Sequence, residues 1–154
     1  MPATPVPQSA QTLAVLLVGG LLGPKWGPLS VVLYLILGAV GLPVFADGAA
    51  GMSVLAGPTA GYLVGFVVAA WWMGACRWRA RSYSLWVVAG VVAHAVVLTF
   101  GWLRLSASSG GSVAFDSGVA PFLMGGLWKS LAAAMVLSAR DRTRFRVGRE
   151  QRGG

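Results

Sequence analysis

Apolar residues run along this chain in long uncharged blocks. Residues 28–46, 48–76 and 82–103 carry no charge, and each block reaches or approaches the ~20 residues that a helix needs to cross a bilayer. Glycine, proline and charge divide the apolar sequence into five predicted spans, at about 11–23, 28–43, 58–76, 83–103 and 118–139. The first two are short and flank "GPKWGP", a turn with two prolines. Pro58 suits the first helical position of the third. The predicted fold class is an all-α polytopic membrane protein. A single transmembrane helical domain covers 1–139, and a basic tail covers 140–154.

Composition agrees. Mean hydropathy is +0.74 and only 10% of residues are charged, too few to cover the surface of a soluble domain of this length. The net charge of +8 is concentrated rather than spread. Six of the twelve cations lie in "ARDRTRFRVGREQRGG" and three in "RWRAR" at 77–81. With Lys25, these ten fall on one side of the predicted spans. The other side, with loops 44–57 and 104–117, has only Arg104. The positive-inside rule makes the ten-cation side, and so the C-terminus, cytoplasmic in the cell membrane. Five spans then put the N-terminus outside. Such clusters also attract anionic membrane lipid. No stacking platform or known module accompanies them, so nucleic acid is not an expected partner.

Few residues in the spans carry chemistry. Lys129, in "GVAPFLMGGLWKSLAAAM", lies eleven residues into its span, roughly 16 Å deep and far for a snorkelling side chain. A cation at that depth faces a cavity or a partner. No carboxylate falls within a span, and Asp116 is thirteen residues earlier. The expected role for Lys129 is contact with an anionic or carboxylate-bearing ligand. His94, in "GVVAHAVVLTFGW", is read as neutral and hydrogen-bonded to a backbone carbonyl, having no second titratable group at helical spacing. Gly57, Gly61, Gly65 and Ala69 recur every four residues and form a ridge for helix packing. Cys76 is the only cysteine. Metal-ligand spacings, G-x-S-x-G and a Walker A loop are all absent from the sequence. Neither an enzyme nor an ATPase is expected, and no cofactor or metal.

The ordered set "LLGPKWG", "GLPVF" and "GPTAGY", with the late "GVAPFLMGGLWKSLAAA" and "AHAVVLTFGWLRL", resembles the BioY family over about residues 5–139. These are the substrate-binding S components of energy-coupling-factor (ECF) biotin transporters. The resemblance implies a six-helix membrane protein that binds biotin near its outer face. It also implies a coupling transmembrane protein and paired ABC ATPases as partners. Biotin suits a site with a buried cation: its carboxylate wants a cation, its ureido ring hydrogen bonds, and its thiophane ring apolar contact. The expected ligand-binding residues are Lys129 first, then Tyr62, Gly51, Ala49 and Leu63 around the glycine-rich entry, with Gln11, Phe45 and Gly126.

Two departures from the family pattern bear on this reading. Met1 lies almost directly before "PVPQSAQ", where relatives have a further helix, so the expectation is five visible spans of a six-helix fold. Gly126 stands where an acidic residue three positions before the lysine is the pattern, on the same helix face. Two other readings therefore stay open: an S component for another small carboxylate vitamin, and a structural or degenerate membrane subunit without ligand.

Overall fold

The structure, a computed structural model, describes residues 10–79 and 82–150, without the side chains at 142 and 144–150. Expectations touching residues 1–9, Arg81 and Arg152 lie outside the described residues. Helices and loops, with no strand among the described residues, make up the fold. Three helices are long and apolar enough to cross a membrane: α1 (Gln11–Ala39), α4 (Tyr83–Ser109) and the Ala120–Asp141 part of α6 (Ala120–Glu150). The helix α3 (Ala60–Cys76) is apolar but shorter. Two short helices, α2 (Met52–Ala56) and α5 (Gly111–Gly118), lie in the connections. The α6 helix continues past residue 139 to Glu150 without a break.

Two arms make up α1. At Gly23 the backbone takes φ 90° and ψ −175°, a conformation that glycine reaches without a Cβ penalty. Pro24 then opens the second arm, where a missing N–H is no loss. The chain folds back on itself: Gln11 Nε2 donates to Tyr34 Oη at 2.5 Å, and Gly27 returns against Gly19. In one straight helix Gln11 and Tyr34 would stand roughly 35 Å apart. The expected "GPKWGP" turn is thus a sharp break at its first two residues, with Lys25–Pro28 already helical.

The small residues of α3 are used on two faces. Gly61 packs on the Phe100 carbonyl and Gly65 on Val97, both of α4, while Ala69 is fully buried. On the other face Ala70 meets Gly19, and Gly74 meets the Gly23–Pro24 turn. The predicted ridge is therefore a packing surface, except that Gly57 lies before the helix, at the C-cap of α2. Across the next interface Gly90 faces Ser130 and His94 faces Gly126. Four residues forward on α4 match four residues back on α6, so the two run antiparallel. Large apolar side chains, among them Leu33, Ile36, Val64, Trp71, Val88 and Met135, point outward. Such a surface suits lipid rather than water. The chain is a multi-pass membrane protein.

Arg140, predicted only as a topology signal, has a second role. The first arm ends at the Gly23 break, so its last carbonyls, among them those of Gly20 and Leu21, have no continuing helix to supply N–H partners. Arg140 Nη1 donates to both freed carbonyls, at 3.4 Å to Gly20 and 3.1 Å to Leu21. Replacing it with leucine leaves them unsatisfied, at an expected cost of about 1–3 kcal/mol. A lower thermal midpoint for Arg140→Leu in detergent, partly restored in Arg140→Lys, is the result expected. An unchanged midpoint would mean that the carbonyls find other donors.

Candidate functional site

The loop over residues 40–59 is built as a cap. Its central side chain is Phe45, which is buried, lies on Gly38 and meets Tyr34 edge-on with centroids 5.6 Å apart. Gln11 ties the loop to the first arm of α1, reaching the Val44 carbonyl at 3.5 Å as well as Tyr34. The Gly51 N–H bonds the Gly38 carbonyl at 2.7 Å, and this contact uses φ 95° at Gly51. Asp47 adopts φ 56°, a left-handed conformation that aspartate tolerates better than most residues.

Beneath the cap lies a cavity of about 370 Å³. The first arm of α1 contributes Gln11 and Thr12, and the cap contributes Phe45, Ala49 and polar Asp47, Ser53 and Thr59. From α3 come Tyr62, Leu63 and Phe66; from α4, His94, Val97 and Leu98; from α6, Phe122 and Lys129. The wall is mainly apolar, with polar groups at separated points. Lys129 is only 7% exposed, and its Nζ lies 5.9 Å from the Trp128 ring centroid. Tyr62 lends its ring to the wall while its hydroxyl donates to the Gly118 carbonyl at 2.8 Å, which fixes the α5 end. Its ring in turn rests on Gly101.

Six of the eight residues singled out from sequence meet in this cavity: Gln11, Phe45, Ala49, Tyr62, Leu63 and Lys129. Two do not line it. Gly51 is the hinge that brings the cap backbone onto Gly38. Gly126 faces the His94 ring so closely that a Cβ there would overlap it. That residue borders a second hollow of about 650 Å³ between α4, α5 and α6. For His94 the expected backbone partner falls short: the ring lies near the Phe122 backbone, but neither ring nitrogen meets hydrogen-bond geometry with a described group. His94 is not among the expected site residues, yet it lines both spaces. Its polarity within an apolar run is the available signal. Thr12, Asp47 and Ser53 carried none, since polar residues beside loops look merely solvated.

A model of the BioY family matches residues 1–146. The chain belongs to the BioY family. BioY relatives include the "Probable biotin transporter BioY" of Pyrococcus horikoshii, 36% identical over 132 residues, which cover 86% of this chain and 78% of the relative. The "Biotin transporter BioY" of Thermotoga maritima is 36% identical over 137 residues, covering 88% and 81%. Among solved structures, the S-component for biotin from an ECF-type ABC transporter superposes with a TM-score of 0.80 at 25% identity. The match covers 94% of this chain and 78% of that one.

Proposed function

We propose that this BioY chain is the biotin-binding S component of an ECF-type vitamin uptake transporter and catalyses no reaction. The carrying observation is the capped cavity, in which Lys129, Gln11, Tyr62 and Phe45 come together from four parts of the chain. Its size falls within the range of small-molecule sites, and its mixture of apolar wall and few polar groups matches them. Biotin offers complementary chemistry at every point: an apolar thiophane ring and chain, a carboxylate, and a ureido ring.

Capture takes place from the outer side. The cap belongs to the side of the chain on which Arg104 is the lone cation, whereas the C-terminal tail belongs to the cation-rich, cytoplasmic side. With no Walker A loop in its sequence, the chain takes its energy from a coupling transmembrane protein and ABC ATPases. Its basic clusters rest on anionic lipid.

Equilibrium binding of radiolabelled biotin to the purified chain in detergent tests the reading. Saturable binding is expected, displaced by excess biotin or desthiobiotin and not by thiamine or riboflavin. A folded, monodisperse preparation with no saturable binding would overturn it.

A further inference from the structure

The described residues contain two buried ring nitrogens without a hydrogen-bond partner, and both belong to His94. The side chain is 6% exposed, and buried polar groups are seldom left unsatisfied. Burying them unpaired costs free energy that a cavity-filling leucine at the same place would avoid. His94 also occupies a particular position. Its ring forms part of the wall of the capped cavity, shared with Lys129, and of the hollow between α4, α5 and α6. It can sit there because residue 126 on the facing helix is glycine: a Cβ at that position would overlap the ring. The Gly126 carbonyl is itself occupied by the Ser130 hydroxyl at 2.8 Å, so the seat provides space and no hydrogen bond to the imidazole.

We infer that His94 is a ligand-recognition residue: its imidazole turns from its seat on Gly126 into the capped cavity and hydrogen-bonds the ureido ring of biotin. This rests on the biotin-binding reading above. A neutral imidazole carries one N–H donor and one bare acceptor nitrogen. The cyclic urea carries N–H donors and a carbonyl acceptor, so either imidazole nitrogen finds a complementary group. Thiophane and chain then lie along the apolar wall formed by Leu63, Phe66 and Val97. In this arrangement the nitrogens are satisfied only when ligand is bound, and the cost of burying them in the empty site is recovered as affinity. The absence of a side chain at Gly126 is what leaves the imidazole room to serve.

The chain contains a single histidine, so imidazole signals from the untagged full chain labelled with ¹⁵N-histidine report on this residue alone. Titration with biotin is expected to move an imidazole nitrogen resonance into the hydrogen-bonded range with the same saturation as radioligand binding. His94→Leu is expected to weaken biotin at least about tenfold without lowering the thermal midpoint, and His94→Gln, which keeps a donor and an acceptor, to recover most of the loss. Parent-level affinity in His94→Leu overturns the inference while leaving the biotin reading intact. Weakened binding with no resonance shift assigns His94 to packing and overturns it as well. No saturable binding by the parent chain overturns both.

Discussion

Lys129→Met should reduce biotin affinity by at least about a hundredfold while leaving the fold intact. Truncating one side of a buried, charge-assisted contact typically costs 2–5 kcal/mol, and about 2.8 kcal/mol corresponds to that factor. The large effect follows from position. Lys129 is buried and lines a cavity whose wall is mainly apolar, so few protein groups are at hand to replace a lost ammonium against the ligand's polar end. Methionine keeps the length and volume of the stem, and with them the wall, so the loss reports on the charge and its donors. Lys129→Arg is expected to rescue only in part, because a planar guanidinium fork presents its donors in a different geometry from a compact ammonium. Stability should respond the other way. A cation this deep in a membrane helix costs free energy, so the ligand-free thermal midpoint of Lys129→Met should hold or rise. Parallel titrations with biotin and its carboxamide read which polar end the ammonium meets. Affinity within threefold of the parent would remove Lys129 from the site.

The architecture was legible where it depended on runs and local chemistry. The apolar block that becomes α4 is a property of neighbouring residues, and the predicted bounds 83–103 and 58–76 lie close to Tyr83–Ser109 and Ala60–Cys76. Thr59 caps α3, however, and Pro58 lies one residue before the cap rather than at the first helical position. The break in α1 was visible as "GPKWGP", but its sharpness was not. One glycine at φ 90° does the work, and the two arms pair through Gln11 and Tyr34, residues with no local sign of a shared fate. In the site, residues out of keeping with their surroundings were readable: a lysine deep in a span, a tyrosine at a glycine-rich helix start, a phenylalanine in a loop. Glycines were not. The part played by Gly51 depends on its dihedral angles and that of Gly126 on the ring facing it, and neither is encoded in spacing. The hydrogen-bonding state of His94 is likewise not encoded in spacing, since the groups facing its ring lie on the opposite helix. Continuation of α6 to Glu150 is hidden because a run of arginines reads as a charged tail, although arginine is a good helix former.

Gly74→Leu should be among the most damaging single changes to the fold. A Cβ built at Gly74 meets the backbone of Gly23 and the Pro24 nitrogen, the latter at 2.5 Å. Neither can swing aside as a side-chain tip would. In lipid, helices gain little from the hydrophobic effect on meeting one another, and close backbone contact across small residues is a main source of their association. The turn pressed against Gly74 also sets the direction of both arms of α1 and presents the Gly20 and Leu21 carbonyls to Arg140. Displacing it therefore disturbs three elements and, through the first arm, Gln11 and Thr12 in the cavity wall. Overpacking of this kind is expected to cost about 3 kcal/mol or more, seen as a broadened or lost thermal transition and aggregation on size exclusion in detergent. Gly20→Ala supplies the contrast. The nearest atoms to its added methyl group would be those of the Leu137 side chain, the δ carbons at 2.6 and 2.8 Å, which can yield further than backbone can, so a smaller loss than at Gly74 is expected. Equal midpoints for the two variants would show that the α1 turn yields as readily as a leucine side chain, and would remove the backbone contact at Gly74 as the determinant of the fold.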